Sequence, residues 1–172
     1  MISLESNNVM VDLETMGTTP DAPIISIGAV IFDNTQIIDG FYVNVDLKSS
    51  VEGGAIISPD TVMWWMKQSD GARNMLGKQT AHINEALVRF ADWLPEDVKL
   101  WGNGVDFDNA ILKSAYDRAH IALPWKFYNN RCYRTIKNLY PDVPFERTGT
   151  HHDAFHDAKS QALHLIRIMS HG

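Results

Sequence analysis

Three stretches near the start of the chain, Asn8–Glu14 (NVMVDLE), Ile24–Phe32 (IISIGAVIF) and Gln36–Val45 (QIIDGFYVNV), decide the fold. The first alternates roughly, and the other two are long runs rich in β-branched residues, so all three read as strands. Asp33-Asn34-Thr35 between the last two is a turn signal, and the two strands are expected to pair as a hairpin. Beyond them the period changes. Ser58-Pro59-Asp60 is a helix start, with a capping Ser, a Pro at the first helical position and an acid in the first turn. Thr61–Gln68 continues that helix. Thr80 opens a second one, which runs to about Leu94 and is stopped by Pro95. Val98–Gly102 (VKLWG) is a short apolar strand. Asp108–His120 is helical, with Ile111, Leu112, Ala115 and Ala119 at helical spacing. Trp125–Leu139 reads as a short strand or loop and then a helix from about Tyr133. The last helix runs from about Asp153 to Ser170, with Ala158, Ala162, Leu165 and Met169 on one face. Strands first, then mixed elements, predict an α/β fold: a mixed sheet covered by helices.

The bulk properties fit this. The chain has 172 residues, the size of one domain, and no repeat or linker divides it, so residues 1–172 are expected to form a single domain. Its 15 Lys and Arg against 21 Asp and Glu give a net charge of −6. An acidic chain is a poor passive binder of nucleic acid, but it does not exclude an enzyme that acts on nucleic acid, because divalent ions bound by acids reverse the local sign. No apolar run of about 18 residues predicts a membrane span. Met1–Glu5 lacks the basic and apolar regions of a secretory signal. The single Cys132 allows neither an internal disulfide nor a Cys-based zinc site, which fits a reducing, cytoplasmic setting.

Three elements carry candidate chemistry. Asp12 and Glu14 lie at i and i+2 of an apolar strand, so both carboxylates point to one face. Their repulsion falls when a divalent cation sits between them, although two solvated acids at a strand end would look the same. Gly102-Asn103-Gly104-Val105-Asp106-Phe107-Asp108 is a Gly-rich turn between a strand and a helix. It puts Asp108 where loops gather at a strand's carboxyl end, and the plainer reading is that Asp106 or Asp108 caps the helix. His151-His152-Asp153-Ala154-Phe155-His156-Asp157 opens the last helix. Five helical steps put His152 and Asp157 about 140° apart. A workable geometry has Asp153 starting the helix, His152 on the preceding loop and Asp157 projecting from the second turn. The plainer reading is an exposed helix start or an adventitious metal site.

Together the three elements resemble the DnaQ-like (DEDD) 3′–5′ exonuclease superfamily, in its subgroup with a His general base. The resemblance runs from Val9 to about Leu165 through VDLETMG (Val11–Gly17), GNGVDFDNAIL (Gly102–Leu112) and HDAFHDA (His152–Ala158). Ser58–Trp65 is similar to small phage and bacterial exonuclease VIII-like or exoribonuclease-like proteins. The resemblance implies a ribonuclease H-like mixed sheet flanked by helices. It implies that Asp12 bridges two ions, Mg²⁺ or Mn²⁺, that Glu14 and Asp157 bind one of them, and that Asp108 supports the second directly or through water. His152 is then the general base, chosen over His151 by the four-residue gap to Asp157, and Asp108 is chosen over Asp106 by its pairing with Phe107. Thr15, Met16 and Gly17 line the terminal nucleotide. Relatives often carry an acid after the Arg of the Arg131–Thr135 stretch; Cys132-Tyr133-Arg134 stands here instead, and a substrate role for Arg131 or Arg134 stays open.

The implied activity is metal-dependent hydrolysis of phosphodiester bonds from 3′ ends to nucleoside 5′-monophosphates. The expected partner is nucleic acid with a free 3′ end, single-stranded or frayed, with DNA slightly favoured over RNA and a homodimer left open. An exoribonuclease and a degenerate, non-cutting nucleic-acid binder are the alternatives, and the intact carboxylates and His argue against the second. Trp64 and Trp65 are consecutive. Burial of both in the core is the favoured arrangement, and the other has one ring exposed for base stacking. Lys113, Arg118 and Lys126 read as a solvated face rather than a phosphate patch.

Overall fold

A computed structural model describes residues 5–171. The reading of the first residues as no leader therefore lies almost wholly outside the described residues. In chain order the elements are β1 (Asn8–Thr15), β2 (Ile24–Phe32), β3 (Ile37–Asn44), α1 (Leu47–Glu52), α2 (Pro59–Met66), α3 (Asp70–Met75), α4 (Ile83–Trp93), β4 (Lys99–Gly102), α5 (Asp108–Ala119), β5 (Asn130–Cys132), α6 (Tyr133–Leu139) and α7 (Ala154–His171). One sheet runs in the order β3-β2-β1-β4-β5. β1, β2 and β3 pair antiparallel, whereas β4 and β5 join β1's side in parallel. This is the expected mixed sheet, and the β2–β3 hairpin is pinned by the Asp33 carboxylate, which accepts from the amides of Thr35 (2.7 Å) and Gln36 (3.0 Å).

Strand alternation sorts the core into two layers. Val9, Val11 and Leu13 pack with Leu87 and Phe90 of α4 and Ile111, Leu112 and Tyr116 of α5. Met10, Val30, Phe32 and Trp101 pack on the other face against Ala158, Ala162 and Leu165 of α7 and Tyr133 of α6. Each Val, Leu, Ile, Met or Phe side chain among these contributes about 1.5–3 kcal/mol on burial. Among the described residues no helix is long and apolar enough to cross a membrane.

Some boundaries differ from expectation. The second long helix begins at Ile83, not Thr80, because Ala81 is held in a bridge to Val45: its amide donates to Asn44 (2.9 Å) and its carbonyl accepts from Asp46 (2.8 Å). The His82 ring then accepts from the Asn84 amide at 3.2 Å and caps α4. Ser58 caps α2 as read, accepting from the Thr61 amide at 3.4 Å. The short helices α1 and α3, capped by Asp46 and Ser69, have no counterpart in the sequence reading. The ambiguous stretch resolves into a 3₁₀ turn (Phe127–Asn129), β5 and α6.

Candidate active site

The acids collect where β1 ends. Asp12 and Glu14 share the Met10 face of β1, which is the face α7 covers. Gly28 lies directly across the ladder from Asp12. A Cβ there would stand 2.1 Å from the Ala154 carbonyl carbon, so only glycine lets the backbone of α7's first turn rest on the sheet. Asp153 caps that turn, its carboxylate accepting from the His156 amide at 3.0 Å. Asp157 follows in α7's first turn rather than its second, because the helix begins at Ala154 with Asp153 as its cap. Oxygens of Asp12, Glu14 and Asp157 all lie within 4.8 Å of one another.

His152 reaches the cluster from the preceding loop. Its backbone is left-handed (φ 61) and its amide donates to Asp157 Oδ2 at 3.0 Å. Its ring stacks on His151 at 3.7 Å and meets the Trp64 ring edge-on at 4.8 Å. An Nδ1 or Nε2 of each histidine lies within 4.8 Å of an Asp157 oxygen.

Asp108 behaves differently from a cap. Its Oδ1 accepts from the Leu13 amide at 3.1 Å and its Oδ2 from the Asn103 amide at 3.2 Å. The carboxylate thus ties the end of β1 to the turn after β4. It stands outside the group formed by Asp12, Glu14 and Asp157. Asp106 is exposed. Burial raises Asp108 to about 7, opposed by those two amides. Burial first, and then the neighbouring carboxylates, hold Asp12 well above the usual range and raise Glu14 to about 8. Burial and His151 lower His152, which favours its neutral, proton-accepting form.

The cluster floors a cleft of about 600 Å³. A family model described as the 3′–5′ exoribonuclease Rv2179c-like domain matches residues 7–169. The chain belongs to this family. Like others of the DnaQ-like type, this Rv2179c-like chain is a 3′–5′ exonuclease, a hydrolase. It is 25% identical over 157 residues to an exodeoxyribonuclease of Enterobacteria phage T4, covering 73% of this chain and 68% of that one. The nuclease domain of 3′hExo, a DEDDh family member bound to rAMP, superposes with a TM-score of 0.63 at 16% identity, covering 96% of this chain and 92% of that chain. Exonuclease X in complex with 5′ overhanging duplex DNA gives 0.61 at 16% identity, with the same shares covered. These two likenesses bear on the fold of the Rv2179c-like chain.

Of the residues expected along the terminal nucleotide, Thr15, Gly17, Trp64 and Trp65 line the cleft. Met16 does not; it packs behind the cleft against Ile25, Trp65 and Ala72. The register of β1 shifts between Glu14 and Thr15, so the alternation that would have carried Met16 to the acid face stops there. The two tryptophans split, against burial of both: Trp65 is 4% exposed and donates to the Thr15 carbonyl at 2.9 Å, whereas Trp64 is 42% exposed. Lys113 and Lys126 pair with Asp117 and Asp97, and Arg118 donates to Ser114, so no phosphate patch forms.

Two residues escaped the sequence reading. Gln161, one helical turn after Asp157 on the same face, donates from Nε2 to Asp12 Oδ1 at 2.9 Å. Its Oε1 is buried without a partner. Arg147, from the loop before α7, pairs with Asp157 Oδ1. The helical period offered a signal for Gln161; nothing periodic marked Arg147. Three clustered acids, hard oxygen donors and an orphaned amide oxygen beside them fit a hydrated Mg²⁺ or Mn²⁺.

Proposed function

We propose that residues 1–172 form a single metal-dependent exonuclease domain that removes nucleoside 5′-monophosphates from a free 3′ end. The observation that carries this reading is the approach of Asp12, Glu14 and Asp157 oxygens within 4.8 Å, beside His152, in an open cleft. Asp12, Glu14 and Asp157 would hold two Mg²⁺ or Mn²⁺ ions, with Asp108 supporting the second directly or through water. When bound, such ions neutralise charge on the phosphate and favour in-line displacement. His152 accepts the proton of the attacking water. The new bond joins that water's oxygen to phosphorus, the bond to the upstream 3′ oxygen breaks, and that oxygen takes a proton from solvent. Gln161 keeps the Asp12 carboxylate turned toward the cleft. Trp64, Trp65, Thr15 and Gly17 wall the terminal nucleotide by stacking and backbone contact, which accepts any base.

Single-stranded or frayed 3′ ends suit a chain of net charge −6, which offers little electrostatic hold on a long duplex. DNA is slightly favoured, in line with the phage exodeoxyribonuclease relative; the family description favours RNA as the second reading. Matched DNA and RNA oligonucleotides, labelled at either end, with and without a 3′ block, test both points in Mg²⁺ or Mn²⁺. Monophosphate release from unblocked 3′ ends is expected. Equal degradation of 3′-blocked strands would overturn the direction, and faster cleavage of RNA would reverse the preference.

A further inference from the structure

Arg147 is held in place by its neighbours. Thr148 donates its amide to Ser160 Oγ at 2.9 Å, Glu146 pairs with Arg167 at 2.5 Å, and the Val143 carbonyl accepts from His164 Nε2 at 2.9 Å. The loop is thus fastened to α7 on both sides of Arg147. The Arg147 guanidinium lies 5.5 Å from the Phe145 ring centroid, lines the cleft and pairs with Asp157 Oδ1, the oxygen the His152 amide leaves free.

This arrangement poses a conflict. The oxygen that Arg147 holds belongs to a carboxylate that the exonuclease reading gives to a cation. A guanidinium and a metal ion on one carboxylate repel each other, so entry of the ion weakens the hold of Arg147 on Asp157. Its backbone is fastened, so the guanidinium stays within side-chain reach of the cleft, and the Phe145 face supports it at the cleft wall. The anion that enters the cleft with the ions is the substrate's phosphate, which matches the planar fork of Arg.

We propose that Arg147 is an exchangeable counter-ion: it neutralises Asp157 in the metal-free protein and transfers to a phosphate oxygen of the 3′-terminal nucleotide when metal and substrate are bound. It is a substrate-binding residue of that same site, and the inference rests on the exonuclease reading.

The proposal makes two readouts move in opposite directions. Arg147→Gln removes the opposing charge, so Mn²⁺ titrated calorimetrically into protein without nucleic acid binds about 2- to 5-fold more tightly, the scale of a partly exposed ion pair. The same change removes a charge-assisted bond to substrate, so KM for a 3′-labelled oligonucleotide rises about 10-fold or more, with kcat within about threefold. Arg147→Lys, which keeps a point charge but no fork, falls between on both scales and serves as the test if the Gln variant does not fold. A merely structural arginine weakens metal and substrate binding together. Weaker or unchanged Mn²⁺ binding, or an unchanged KM, overturns the proposal. If the exonuclease reading itself fails, no variant or parent protein cuts, while the calorimetric comparison still reports on the counter-ion.

Discussion

Replacing Gly28 by Ala tests how the acid cluster is assembled. The added Cβ would meet the Ala154 carbonyl carbon at 2.1 Å and the Phe155 nitrogen at 2.2 Å. Ordinary contact begins at 3.4 Å, so α7's first turn must lift by about 1.3 Å. Both obstacles are backbone, so no side-chain rotation relieves them. α7 is an 18-residue helix, so the lift carries Asp157 and Gln161 away from Asp12 and Glu14. Overpacking of this kind costs about 1–3 kcal/mol. At about 2–4 °C per kcal/mol for a chain of this size, the melting temperature falls by roughly 2–12 °C. Misplacement by about 1 Å costs about 10²-fold in rate. Gly40→Ala is the matched control, because its Cβ meets only the Phe155 ring edge, at 2.6 Å, and that ring can turn. Melting curves, Mn²⁺ titration and turnover of a 3′-labelled oligonucleotide are compared for the three proteins. Wild-type kcat and Mn²⁺ affinity in the Gly28 variant would refute the argument that α7's seat on the sheet sets the site.

Other expectations are simpler to state. Asp12→Asn or Asp157→Asn should abolish metal-dependent turnover while circular dichroism stays native; over half of wild-type turnover in Mg²⁺ would sink the ligand assignment. His152→Ala should lose about 10²- to 10⁴-fold in rate and His151→Ala far less, and the reverse ranking would move the base to His151. Because Glu14 sits near 8 and Asp108 near 7 in the metal-free protein, protons must leave before a cation binds. The rise in melting temperature on adding millimolar Mn²⁺ should therefore grow from pH 6 to pH 8.5, and a pH-independent rise would count against the cluster. Burial lowers His164, so the unfolded chain takes up a proton below about pH 6.5 that the folded chain refuses. The stability this site contributes is full above that pH and declines as the pH falls; His164→Asn should flatten that part of the profile, as read by urea melts.

The sequence announced the chemistry more clearly than the walls around it. Asp12, Glu14 and Asp157 were legible because strand alternation and a capped helix start are local rules, and the structure obeys them at those positions. Asp108 was legible as a position, but its ties to Leu13 and Asn103 depend on β1 lying beside β4, which no local pattern states. Met16, placed at the nucleotide by the resemblance alone, packs outside the cleft, where one irregularity in the ladder ends the alternation of β1. Thr80 was misjudged because a bridge to β3's far end outweighs helix propensity at Ala81. Arg147 lies in an aperiodic loop whose course is set by Ser160, Arg167 and His164, all on a helix that follows it in sequence.

The bond between Gln161 and Asp12 spans 149 positions, and that between Asp108 and Leu13 spans 95. Contacts so distant along the chain form late, since loop closure must precede them. A ribosome adds about 5–20 residues per second, so the strands and α5 emerge seconds before α7 can dock. During that interval Asp12 and Glu14 lack their third acid, and His152 has yet to be made. The nascent chain therefore carries an incomplete acid cluster until α7 closes over the sheet.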